Sequence, residues 1–349
     1  MDDLKLNVSL LRRRVPNLTT AARSVGLRSA TVSNLCTGKI PIGRAEVKTL
    51  VALADLAECK VDELLIRSNN AEMLETGIKV IDFFAPIAIG STVGFVARPG
   101  MGQLVVLAEI FHRMKDTNYT RIFLKPENAG VGIQDVEMEC DIICKSMKEV
   151  HDHLWSLGRE KYVLFAADRS TVLSGEIFTL QDELQSAGLM PVTIFLVDPR
   201  GESVDEDEPY GPLDTLWQFD AELVARKMYP AINPNYSAST LLEASHLESE
   251  HFAVQQKARK MMRRYRELRH LVDAFGLDHF SQSDILAFER GKRLEAYLTQ
   301  AFYIAEPVTK LPGTTVSLNE TIADVQCILD GSTDGMDAGH LLYIGTLEG

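Results

Sequence analysis

Gly100, Met101, Gly102 and Gln103 stand between a short apolar run, Ser91–Val96, and an amphipathic one, Gln103–Met114. A glycine loop between a strand and a helix is the layout of a phosphate cradle: N–H groups at the helix start point at the anion, and glycine lets the backbone approach it. A working loop reads G-x-x-x-x-G-K-[ST], because its Lys reaches the β and γ phosphates and its hydroxyl holds the magnesium. Here Ala97 stands where the first Gly belongs, Gln103 in place of the Lys and Leu104 in place of the hydroxyl, while Gly100 and Gly102 remain. Gln103 brings no positive charge to a triphosphate and Leu104 no oxygen to a metal. Charge neutralisation and metal placement are therefore lost together, and no catalytic residue for ATP hydrolysis is expected.

Two other groups have chemistry-bearing types. Cys140, Cys144, His151 and His153 contain zinc-binding atoms, with the two cysteines one helical turn apart if helical, but the spacing fits no standard finger, so free buried thiols and no metal are expected. Lys257–Lys260 and Arg263–Arg266 form a cationic stretch that fits nucleic acid, yet Met261, Met262 and Leu268 fit a core stripe beneath a solvated face, the reading preferred here.

The elements that must position these groups change along the chain. From residue 75 on, strands at Ser91–Val96, Arg121–Leu124, Tyr162–Ala166 and Val192–Val197 alternate with helical patterns, which predicts an α/β fold with a mostly parallel sheet. From Leu242 the pattern is mainly helical. Residues 1–67 read as short helices instead: Leu18, Ala21, Ala22 and Val25 share one face, Gly26 stops that helix, and Ser29 can cap a second one carrying Val32 and Leu35. Thr37–Gly38 and Pro41 close it, a third helix follows over Val47–Leu56, and a last short one over Val61–Ile66. The predicted organisation is 1–67, a polar linker at 68–74, an α/β domain at 75–240 and a helical domain at 241–349.

Helix, tight turn, helix lets the second helix project toward a major groove. Residues 6–67 resemble the Cro/repressor helix-turn-helix family through Ala21–Ala22, Gly26, Ser29–Ser33, Gly38–Lys39 and the Leu50–Leu56 helix followed by Val61–Leu65. The resemblance implies a small all-α domain that binds double-stranded DNA, with Ser29, Thr31 and Asn34 facing base edges and Arg28, Lys39 and Arg44 near phosphates. Thr37 stands where that family usually has Glu. A helical module used only for docking or dimerising is the alternative.

Residues 75–349 resemble the beta subunit of the rotary ATP synthase. Glu75–Asp82 followed by Ala85–Ile87, Lys227–Pro234, Ser249–Val254, Gly276–Asp284 and Leu298–Phe302 occur in that family's order. The stretch 117–211 is shorter and poorly matched, and the family's N-terminal β-barrel is replaced by the helical module. The resemblance implies a RecA-like nucleotide domain followed by a C-terminal helical domain, and assembly into an oligomer or ring. Glu127 and Asp168 are its weak catalytic candidates, although the best alignment puts Ala167 at the metal-side position. Gly100, Gly102 and Gln103 would be its phosphate-side remnant. Tyr229 and Phe302, with Tyr297 nearby, match positions that sandwich an adenine base, against the alternative of ordinary core aromatics. The acidic loop around Asp278 and Asp284 is eroded, which disfavours coupling to a rotating shaft.

Composition sets limits on these readings. The 349 residues carry 36 Lys and Arg against 49 Asp and Glu, a net charge of −13, which disfavours a protein that simply coats nucleic acid or an anionic membrane. Residues 1–70 nevertheless hold 11 basic and 7 acidic residues, net +4, leaving −17 for the rest. Five scattered cysteines imply no disulfide framework, and with neither a signal-like N-terminus nor a membrane-length apolar run the expected location is the cytoplasm, without membrane insertion. Together these features predict a DNA-binding regulatory protein with an inactive ATPase-like body, used for oligomerisation and for sensing an adenine nucleotide without required magnesium. The alternatives are an accessory subunit that binds ATP synthase-like components and a divergent working ATPase.

Overall fold

Leu18, Ala22, Val32, Leu35, Leu50 and Leu53 recur at helical spacing and meet in one small core. They belong to the first of two compact units, Met1–Glu72 and Met73–Gly349, in a computed structural model that describes residues 4–15, 18–36, 40, 42–67, 72–126, 132–158, 161–187, 191–205, 210–211, 213–243 and 249–348.

The first unit holds β1 (Leu4–Leu6), α1 (Val8–Arg14), α2 (Leu18–Ser24), α3 (Ser29–Cys36), α4 (Val47–Leu56), α5 (Val61–Leu64) and β2 (Leu65–Arg67). Gly26, at φ +78°, ends α2, and the next amide, Leu27 N–H, turns back to the Ala22 carbonyl at 2.9 Å. Asn7 caps α1 by accepting from the Leu10 amide at 3.0 Å. The expectation of an all-α unit is corrected: Leu4–Leu6 pairs antiparallel with Leu65–Arg67, so the predicted last helix stops at Leu64 and the chain continues extended. A three-residue strand inside an apolar helical window has no periodicity of its own, and the pairing partner lies some sixty positions away. Ser29 is the first residue of α3 rather than the one before it, and its hydroxyl accepts from Arg23 Nε at 2.8 Å. Thr37, Gly38, Lys39 and Pro41 lie outside the described residues.

In the second unit β3 (Met73–Leu74) and β4 (Ile87–Ala88) pair around α6 (Lys79–Phe84). There follow β5 (Thr92–Val96), α7 (Gln103–Arg113), β6 (Tyr119–Leu124), α8 (Ile133–Met138), β7 (Ile142–Cys144), α9 (Met147–Leu157), β8 (Tyr162–Asp168), α10 (Ser170–Leu173), α11 (Glu176–Ala187), β9 (Val192–Val197), β10 (Thr215–Gln218), α12 (Ala221–Ala225), β11 (Ala238–Ser239) and α13 (Thr240–Glu243). The last helices are α14 (Ser249–Phe275), α15 (Gln282–Tyr297), α16 (Glu306–Thr309) and α17 (Leu318–Asp330).

The fold is mixed α/β around a seven-stranded sheet ordered β11-β10-β5-β9-β8-β6-β7, parallel except for β11. Alternate strand residues feed two cores. Phe95, Phe123, Leu164, Phe195 and Trp217 pack with α7, α14, α15 and α17, while Ile122, Val163, Phe165 and Ile194 pack with α9 and α11. The first core runs without a break from the sheet into the helices beyond residue 240. Truncating one of the fully buried phenylalanines to Ala costs about 3–5 kcal/mol.

Candidate functional site

The sheet's connectivity marks one edge. From β5 the chain passes through α7 to β6, three places away on one side, and after β9 it crosses to β10 on the other side. Strand order reverses at β5, and in open parallel sheets ligands bind beyond the carboxyl ends of strands at such a reversal. The Ala97–Gly102 loop occupies that place.

Gly102, at φ +89°, is the left-handed residue from which α7 starts. Gln103 follows with only 4% of its surface exposed, and Leu104 joins Met101, Ile133 and Val136 in the core. The first turn of α7 thus presents a buried neutral amide and apolar packing, with neither a cation nor a hydroxyl at these two residues. The connection after β9 braces the loop from outside. A Cβ on Gly201, itself at φ +76°, would lie 2.4 Å from Pro99 Cδ, and Arg98 pairs with Asp205 at 3.1 Å.

Asp168 is the last residue of β8, while Ala167 is buried in the second core. Asp198 follows the neighbouring β9. The two carboxylates line a cleft of ≈ 370 Å³ with Arg169, Ser170, Arg200 and Glu202. Each carboxylate turns its own loop: Asp168 accepts from the Ser170 amide (2.9 Å) and hydroxyl, Asp198 from the amides of Arg200 (2.9 Å) and Ser203 (2.7 Å). Asp198 belongs to no motif, and its signal in the sequence is an acid directly after an apolar strand. Glu127 lies outside the described residues.

The three aromatics diverge. Tyr229 is 38% exposed, and its flanking residues Met228 and Pro230 line a second cleft against Arg226, Tyr265 and Glu295. Phe302 is buried in the first core. Tyr297 is fully buried, its hydroxyl donating to Asp324 Oδ2 at 2.8 Å and its ring 4.1 Å below the Lys79 ammonium. Its ring and hydroxyl are thus both engaged within the protein.

In the first unit Arg28 and Arg44 are exposed, as is Arg23, and Ser29, Thr31 and Asn34 are half-buried on α3, whose Val32 and Leu35 face the core. Lys39 is outside the described residues.

Cys140 and Cys144 do not share a helix: Cys140 follows α8 and donates its thiol to the Val136 carbonyl, and Cys144 ends β7. Burial pushes both thiols up, Cys144 to about 11, which disfavours the thiolates a metal needs. His151 stacks on Trp155 at 3.8 Å. Among the described residues no three His, Cys, Asp or Glu side chains are grouped to hold a metal ion.

Three arginines of the cationic stretch of α14 are engaged within the chain, while Lys257, Lys260 and Arg263 are exposed. Arg259 donates to the carbonyls of Phe84 and Ser237, Arg264 to Asp284 and Glu267, and Arg266 to the Tyr236 hydroxyl, over a stripe that buries Met262 and Leu268. Among the described residues no helix is long and apolar enough to cross a membrane. No protein-family model matches the chain.

Proposed function

We propose that this protein is a DNA-binding regulator in which Met1–Glu72 reads duplex DNA and Met73–Gly349 is a RecA-like, ATP synthase beta-like body that does not hydrolyse ATP. The observation that carries the reading is the first turn of α7, where buried Gln103 and Leu104 occupy the positions of the charge and the metal ligand in an otherwise phosphate-cradling strand–loop–helix. A body of this kind contributes assembly, and it holds an adenine nucleotide by the base more than by the phosphates. Support for the DNA-binding half comes from Arg23, Arg28 and Arg44, exposed in the same small unit as the half-buried polar residues of α3, and from the net +4 of residues 1–70 on an otherwise acidic chain. Several weakly binding heads on one oligomer gain affinity through effective concentration.

The test is fluorescence anisotropy of the full chain on duplex DNA at rising salt, with phosphate release from ATP and native mass measured on the same preparation. Salt-sensitive duplex binding by an oligomer that releases no phosphate is the expected result. Magnesium-dependent phosphate release would identify a divergent ATPase instead, and failure to bind duplex at low salt would leave Met1–Glu72 as a docking module.

A further inference from the structure

The C-terminal residues form a strap across the helices of the second unit. Tyr343 N–H donates to Thr299 Oγ1 at 2.7 Å and Leu347 N–H to Asp324 Oδ2 at 2.9 Å. Between them the carbonyls of Ile344 and Gly345 accept from Lys79 Nζ at 2.8 and 3.2 Å. Lys79 is fully buried, and Asp324, which takes the Leu347 amide, also takes the Tyr297 hydroxyl. Five residues are thus fastened to α6, to α17 and to the end of α15 by groups removed from water, where hydrogen bonds are electrostatically strongest.

From this anchorage the Tyr343 side chain reaches to a different segment. Its hydroxyl donates to the Lys227 carbonyl and accepts from the Tyr229 amide at 3.3 Å. Both residues at the ends of the Tyr343–Lys227 bond are non-glycines in the left-handed region, Tyr343 at φ +58° and Lys227 at φ +58°. At Lys227 this is the left-handed residue that terminates α12, whereas Tyr343 adopts it within the strap, where such a conformation persists because the surroundings over-determine it. Elsewhere the turn is held by backbone bonds, Lys227 N–H to Val224, Met228 N–H to Leu223 and Gln300 N–H to the Tyr229 carbonyl. The phenol is therefore the side-chain link between the strap and the turn, joining Tyr343 to Lys227 just beyond α12.

We propose that the strap Tyr343–Leu347 is a releasable clasp, in which the Tyr343 hydroxyl holds the Lys227–Tyr229 turn and the strap and the turn open together. The turn carries Tyr229, so the clasp governs how firmly the base-side segment is held; that consequence rests on the proposed function, whereas the coupled opening does not.

Hydrogen exchange of the full chain, read peptide by peptide, tests the coupling without any nucleotide. Tyr343→Phe removes only the hydroxyl and is expected to speed exchange about fivefold or more in residues 226–232 and 343–347 while leaving β5, β8 and β9 unchanged. Lys79→Met loosens the strap from its other anchorage and is expected to speed the same two segments together. Unchanged exchange at 226–232 in Tyr343→Phe, acceleration of 343–347 alone in Lys79→Met, or uniform acceleration that includes the sheet would each overturn the clasp. Calorimetry with AMP on the wild type is the separate arm: no binding there removes the base-side reading and leaves the exchange result standing.

Discussion

Glu109 and Arg113, one turn apart on α7, form an ion pair at 2.8 Å with both side chains almost wholly buried. The carboxylate also accepts the amides of Tyr303 (3.2 Å) and Ile304 (3.1 Å), and the guanidinium donates to the carbonyls of Gly77 (3.0 Å) and Thr314 (2.8 Å) and lies 5.2 Å from the Tyr303 ring. A buried pair is tolerable when its remaining lone pairs and protons are satisfied in this way, and removing one partner leaves an uncompensated charge. Glu109→Ala should therefore destabilise the protein by about 3–5 kcal/mol, measured as a shift in urea midpoint, with Glu109→Gln costing less. A change below about 1 kcal/mol for the Ala variant would show that the pair does not hold the segment after Phe302.

Phosphate release from ATP should not exceed the buffer blank. Gln103→Lys should improve triphosphate binding by restoring a positive charge at the start of α7, without turnover, because Leu104 still offers no oxygen to a metal. Leu104→Thr should cost about 2 kcal/mol of stability, since Leu104 is buried in the first core. Robust wild-type turnover would sink this assignment.

DNA binding should respond differently to two kinds of substitution. Arg28→Ala or Arg44→Ala should weaken all duplex sequences similarly and reduce the salt slope by about 1, whereas Asn34→Ala should cost about 1–3 kcal/mol on selected sequences only. Equal losses on every sequence for Asn34→Ala would remove it from the base-reading set.

Nucleotide affinity should be similar for ATP, ADP and AMP and nearly independent of magnesium, and Tyr229→Ala should weaken it by about 1–3 kcal/mol. A strong, magnesium-requiring preference for ATP would show that the loop still holds phosphates. Unchanged binding in the Tyr229 variant would place the nucleotide elsewhere.

Stability should depend on Lys79 in the alkaline range. Burial lowers its ammonium from 10.5 to about 7, with the Asp324 carboxylate opposing that shift. Between about pH 7 and 10.5 the unfolded chain binds the proton that the folded one has released, so this group makes stability rise with pH across that window. Lys79→Met should remove that part of the slope in denaturant midpoints taken from pH 6.5 to 9.5. An unchanged slope would mean that Lys79 stays charged when folded.

Much of the sheet was legible in residue order. Thr92–Val96, Tyr162–Asp168 and Val192–Val197 are apolar runs buried on both faces, and such strands announce themselves without partners. Ile142–Cys144, Thr215–Gln218 and Leu65–Arg67 were not legible, because three or four residues have no measurable period and become strands only by pairing. That Gln103 carries no charge and Leu104 no oxygen was equally plain, since residue identity alone decides whether a charge or a metal-binding oxygen exists.

Where those residues point is a different matter. The burial of Tyr297 and the exposure of Tyr229 look alike in the sequence, as aromatic side chains in matching strings, and the packing of α6, α15 and α17 separates them. Asp168 and Asp198 meet because two parallel strands end side by side, and Tyr343 reaches Lys227 across more than a hundred residues. Chemical capacity is a property of each side chain and travels with the sequence. Juxtaposition depends on contacts between distant segments, whose partners are chosen only when the whole core closes, and tertiary structure alone decided it here.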